Sequence, residues 1–151
     1  GNARQTQEVL DRLKGRLYMI KGNHDRYLKE SEFNKERFVW IKPYAEMHDN
    51  RRKVVLSHYP IFCYNGQYRR NKKGEPLTYM LYGHVHDTLD EQLVRQFCQI
   101  TRQTKKQGKY DEEPLPIPCN MINCFCMYSD YIPRTLDEWI DYYSLGEDRR
   151  K

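Results

Sequence analysis

Three apolar stretches of this chain end in the same way. RLYMIK runs into GNHD, KVVLS into HYP, and LTYMLY into GHVHD. Each run has the length of a buried strand, and each breaks at its carboxyl end into glycine, histidine or a short polar side chain. In α/β folds, ligands and reacting groups collect at the carboxyl ends of strands. The recurrence therefore constrains the chain more tightly than its composition does. Four of the five histidines, His24, His58, His84 and His86, stand at these ends. Histidines placed by chance would not favour such termini, so the plainer reading of four satisfied structural histidines is the weaker one for the set. His48, inside a hairpin strand, reads as structural.

The rest of the chain organises around these ends. TQEVLDRLKG carries Val9, Leu10 and Leu13 at helical spacing and stops at Gly15, and RLYMIK follows as a short strand. Leu28 to Lys42 is a mixed, charged stretch, and Pro43 directly after it breaks any helix there. YAEMHD and KVVLS read as a hairpin turning at Asp49-Asn50, with the second strand apolar enough to lie inside a sheet. DEQLVRQFCQITRQTKK predicts a helix with Leu93, Phe97 and Ile100 on one stripe behind an Asp90 cap. NMINCFCMY is a last β-rich stretch. TLDEWI is a capping box, Thr135 with Glu138, that opens a short final helix. Helix, strand and polar loop alternate, so the fold class is α/β. The expectation is a single domain over residues 1–151, with about 145–151 a frayed tail.

At 151 residues the chain is long enough to bury a core. Its 13 tyrosines suit half-buried surfaces and site walls. No apolar run can span a bilayer and no basic-then-apolar leader opens the chain, so a cytoplasmic protein with no membrane partner is expected. The five cysteines, Cys63, Cys98, Cys119, Cys124 and Cys126, lack a scaffold spacing and read as free thiols. Cys124 and Cys126 would share one face of a strand. With no CxxC pair, a cysteine zinc site is rejected. The net charge of +5 concentrates in RRNKK (Arg69 to Lys73) and KKQGK (Lys105 to Lys109). Such runs are solvated loops or surfaces for an anionic substrate or nucleic acid, and charge alone does not choose.

Imidazoles, a side-chain amide and a carboxylate gathered on loops at one sheet edge suit a divalent-metal site. Gly22 and Gly83 allow the tight approach that such loops need. GNHD, SHYP and GHVH, in this order and strand context, resemble the third, fourth and fifth motifs of the calcineurin-like metallophosphoesterases. The likeness covers about Leu17 to Tyr128, and YIPRTLDE resembles more weakly the closing segment of a bacterial and phage-type branch. The resemblance implies two packed mixed β-sheets flanked by helices, an αββα sandwich. It implies a dinuclear centre of Mn, Fe, Zn or Ni that hydrolyses phosphate mono- or diesters. Asn23, His58 and His84 would bind one metal and His86 the other. His24 would protonate the leaving oxygen or steady the phosphoryl charge, with Asp25 orienting its imidazole. Arg26, Tyr59, Arg69 and Arg70 are the candidate substrate contacts.

The family's first two motifs, Asp-x-His and Gly-Asp, are absent from these 151 residues. The fold is therefore expected to be N-terminally incomplete, the C-terminal portion of the family domain, with the missing strands upstream. His86 would then hold its metal alone, so the chain by itself is expected to bind one metal or none. Three functions follow. One is a hydrolase complete only with the upstream segment. The second is a catalytically silent, truncated relative that acts as a binding or oligomerising module, as in a homo-oligomer. The third is a nucleic-acid or nucleotide binder using Arg69, Arg70, Lys72 and Lys73.

Overall fold

A computed structural model describes residues 2–109 and 111–144, so the expected frayed tail lies outside the described residues. The fold is mixed α/β, with three α-helices and three small sheets among the described residues. The chain groups into two compact units, residues 1–45 and 46–151, where the sequence reading took one domain.

The first unit opens with α1 (Ala3–Arg12), whose N-terminus is capped by the Asn2 side chain accepting from the Gln5 N–H at 2.9 Å. Of the three periodic apolar residues only Leu10 is buried; Val9 and Leu13 are about half exposed. Gly15, at φ +88°, turns the chain into β1 (Leu17–Ile20). Its partner is β2 (Phe38–Lys42), which runs parallel to it with Met19 opposite Ile41. The sequence reading left this second strand inside an irregular charged stretch. A strand that packs one side and leaves Val39 half exposed on the other lacks the continuous apolar run that announced β1. Leu17, Met19, Phe38 and Ile41 pack against a cluster of Ala3, Leu10, Leu28 and Phe33.

The second unit is built on the hairpin β3 (Tyr44–Asp49) and β4 (Arg52–Ser57). Its two-residue turn is Asn50-Arg51, one position later than expected, with φ of 45° and 68°. Left-handed backbone at both central residues is the type I′ geometry that matches strand twist. β5 (Thr78–Tyr82) pairs parallel with β4, and α2 (Leu89–Gln103) follows it. β6 (Lys105–Lys106) and β7 (Leu115–Pro116) form a small antiparallel pair. β8 (Met121–Asn123) then adds parallel to β5, giving the order β3-β4-β5-β8. Val55, Met80 and Met121, from three of these strands, are core residues of one buried cluster.

The structure corrects three expectations. α2 buries Glu91, Val94, Cys98 and Thr101, while Leu93 and Ile100 of the expected stripe are 49% and 65% exposed. Phe97, the third member of that stripe, is half-buried and packs against the core, but a buried carboxylate rather than Leu93 or Ile100 occupies the rest of the inward face. The N-cap position is Thr88 rather than Asp90, and the Thr88 carbonyl accepts the N–H groups of Glu91 and Gln92. Cys124 and Cys126 lie beyond the end of β8, and Cys126 begins a short 3-10 turn, so they are not strand mates. The capping box is present as read: Glu138 Oε2 accepts the Thr135 N–H at 2.7 Å, and the Glu138 N–H reaches Thr135 Oγ1 at 3.3 Å. It opens α3 (Leu136–Ser144), which buries Trp139 beside Tyr79 and Ile122. Among the described residues no helix is long and apolar enough to cross a membrane.

Candidate metal site at the parallel strand ends

Parallel register explains why two of the three motifs meet. Leu56 of β4 lies opposite Leu81 of β5, so Ser57-His58 and Tyr82-Gly83 leave the sheet side by side. The Gly83 N–H donates to the His58 carbonyl at 3.1 Å and continues the ladder one step past the strands. His58 Nε2 and His84 Nδ1 then stand 3.1 Å apart. Tyr59 joins them, its ring centroid 4.3 Å from that of His84 and 5.0 Å from that of His58.

A divalent ion can be tested against that separation. Imidazole nitrogens bind zinc at about 2.0–2.1 Å, and two of them at tetrahedral or octahedral angles are roughly 3.0–3.4 Å apart. The His58–His84 pair fits. One residue of the pair has an unusual backbone: His84 has φ +41°, and His86 follows at +48°. Two non-glycine residues in the left-handed region within three positions are strained, and such strain concentrates at ligand-binding and catalytic loops.

The histidine loop is held from several directions. Val85 is buried between the two strained residues, and its carbonyl accepts the Thr88 hydroxyl at 2.6 Å. Asn123, at the end of β8 and fully buried, donates from Nδ2 to the His86 carbonyl at 2.7 Å and to Glu91 Oε2 at 2.9 Å. The Tyr82 hydroxyl donates to the same Glu91 oxygen at 2.7 Å, and Arg95 Nε donates to Oε1 at 2.9 Å. Burial, then the neighbouring Glu91 charge, pushes the Tyr82 hydroxyl well above its ordinary range, so it remains a donor. Glu91, 1% exposed, is thus a satisfied buried charge that ties α2, β5 and β8 together beneath the loop. Neither Glu91 nor Asn123 was found by sequence reasoning. MIN is a fourth apolar run ending in a polar residue, and the signal that singled out the other three applied to Asn123 as well.

The remaining candidates are placed as follows. His86 is exposed and its ring stacks on Phe125, with centroids 4.7 Å apart and planes 17° apart. Next to it, Asp87 Oδ1 accepts from the Tyr128 hydroxyl at 3.1 Å. In the first unit, Asn23, His24 and Arg26 are exposed on the GNHD loop. The Asp25 carboxylate accepts the Gly22 N–H at 2.6 Å within its own loop, and its charge acts on the nearby Tyr27 hydroxyl. Arg70 is paired with Asp111, both largely buried, which neutralises one cation of the basic loop. Arg69, Lys72 and Lys73 are exposed. Among the described residues no group of three or more His, Cys, Asp or Glu side chains is arranged to hold a metal ion.

No protein-family model, curated protein or solved structure matches this chain.

Proposed function

We propose that this chain carries the histidine motifs of a metal-dependent phosphoesterase, with the two-sheet αββα sandwich as its architecture. The observation that carries the reading is the meeting of His58 Nε2 and His84 Nδ1 at 3.1 Å, on adjoining ends of parallel strands and with His84 in strained backbone. In this reading His58 and His84 hold a divalent cation of the Mn, Fe, Zn or Ni class through neutral ring nitrogens. Such a cation, when bound, polarises phosphoryl oxygens and lowers the pKa of a coordinated water. Asn123 and Glu91 fix the loop that presents His84 and His86. The roles of Asn23, His24, Asp25 and His86 in this reading come from the GNHD and GHVH resemblance. The carbonyl-anchored backbone of His86 leaves its imidazole free to exchange the Phe125 face for a ligand.

A second reading, a catalytically silent binding module, is favoured by the two-histidine donor set and by the stacked His86 ring. One pair of measurements separates the two. The purified chain is offered Mn, Fe, Zn and Ni in turn, its metal content is determined, and hydrolysis of bis(4-nitrophenyl) phosphate is followed. Under the phosphoesterase reading, metal binds and turnover depends on it, and His58→Ala lowers both by more than about tenfold. A smaller loss on His58→Ala overturns the phosphoesterase reading. Bound metal without turnover selects the binding module.

A further inference from the structure

Away from the histidine loop, two thiols meet in the core of the second unit. Cys98 projects from the buried face of α2, and Cys119 stands two residues before β8. They are 6% and 0% exposed, and their sulfurs are 3.7 Å apart, unbonded. Nothing in the phosphoesterase reading uses them.

Their surroundings are not those of two inert core thiols. Gln67 Nε2, itself buried, donates to Cys119 Sγ at 3.4 Å. Arg102 Nε donates to the Cys119 carbonyl at 2.8 Å and brings its charge beside the pair. Cys98 lines a cleft of about 730 Å³ along α2, together with Arg95, Gln99 and Arg102. Cys98 therefore borders a polar cleft, and Cys119, fully buried, does not.

We propose that Cys98 and Cys119 form a reversible dithiol–disulfide couple, oxidised by a small disulfide that enters along the α2 cleft. The balance is complete with that one co-reactant. Cys98, as thiolate, attacks one sulfur of R–S–S–R, forms a mixed disulfide and expels RS⁻. Cys119 then attacks the Cys98 sulfur, closes the internal bond and expels the second RS⁻. The two protein thiols lose two electrons and two protons, and R–S–S–R is reduced to two RSH. The hydrogen bond with Cys98 first, and then those from Gln67 and the Arg102 charge, pull the Cys119 thiol down to about 7 against its burial. Once Cys98 is in the mixed disulfide its thiol bond is gone, and Gln67 and Arg102 remain beside Cys119 to favour its thiolate in the resolving step. The same hydrogen bond and burial push the Cys98 thiol up, so entry is the slow step. The finished bond would tie α2, which carries Glu91, to the segment leading into β8, which carries Asn123. Asn123 holds the His86 carbonyl, and Glu91 in turn holds Asn123.

The test uses the whole chain with its exposed thiols removed, Cys63→Ser with Cys126→Ser. It is incubated with oxidised glutathione, unfolded, alkylated and digested without reductant. The expected product is residues 96–102 cross-linked through Cys98 to Cys119, lost on adding dithiothreitol. Adding Cys119→Ser should leave glutathione trapped on Cys98, because the resolving sulfur is gone. Recovery of both cysteines alkylated overturns the proposal. So does a Cys98–glutathione adduct that persists with Cys119 intact.

Discussion

At the residue scale, His84 and His86 show how this chain keeps side chains in conformations they do not favour. Each left-handed non-glycine residue costs on the order of 1 kcal/mol or more, so the loop persists only where its neighbours over-determine it. Thr88 on the Val85 carbonyl and Asn123 on the His86 carbonyl do so. The GNHD loop uses a different device. There the Asp25 carboxylate accepts the Gly22 N–H, and burial first, then the Asp25 charge, raises Tyr27 from 10.0 to about 12. The unfolded chain then releases this proton before the folded one. The contribution of Tyr27 to stability is therefore whole below pH 10 and lost as pH rises towards 12. Denaturant unfolding followed from pH 8.5 upwards should show the native chain losing stability faster than Tyr27→Phe across that window. Parallel curves would remove Tyr27 burial and the Asp25 charge as contributors to the pH dependence.

At the element scale, α2 separates apolar pattern from burial. Leu93 and Ile100 lie at helical spacing yet face outward, while Val94 is 2% exposed in the cluster with Met80 and Val55. Val94→Ala should cost about 2 kcal/mol through lost contacts and a residual void, and Leu93→Ala less than about 1 kcal/mol. Chemical denaturation of the two variants decides between the faces, and a larger cost at Leu93 would reverse the assignment. The same helix marks how far the sequence could be read. Local chemistry was plain in it: the Asn50 turn, the Thr135–Glu138 box and the abrupt ends of β1, β4 and β5 each follow from neighbours in the chain. Long-range pairing was not. β2 owes its existence to a parallel partner some twenty residues away, and Glu91 is buried only because Tyr82 and Asn123 come to meet it. His58 and His84 could be placed at strand ends from the sequence, and the family resemblance grouped them with Asn23 on one metal. The left-handed backbone of His84 and His86 and the Asn123 brace could not be read, since the brace depends on the β5–β8 pairing.

At the scale of the molecule, the second unit concentrates its polar bonding beneath one loop. Glu91 from α2, Tyr82 from β5 and Asn123 from β8 converge on a carboxylate that solvent does not reach, and the result is transmitted to the His86 carbonyl. A buried charge so arranged favours one packing of three elements, because any slip leaves it unpaired. Two donors share the Oε2 atom, so their removal cannot act independently. Asn123→Ala leaves the His86 carbonyl and part of Glu91 without a donor and should cost roughly 2–4 kcal/mol, while Tyr82→Phe should cost about 1–3 kcal/mol. With both donors gone, Arg95 alone faces the carboxylate. The double variant should therefore depart from the sum of the singles by more than about 0.5 kcal/mol. A double-mutant cycle followed by denaturant unfolding tests this. Simple additivity would mean that Glu91, Tyr82 and Asn123 pack as neighbours without acting as one network, and the support of the histidine loop would have to be sought in Thr88 alone.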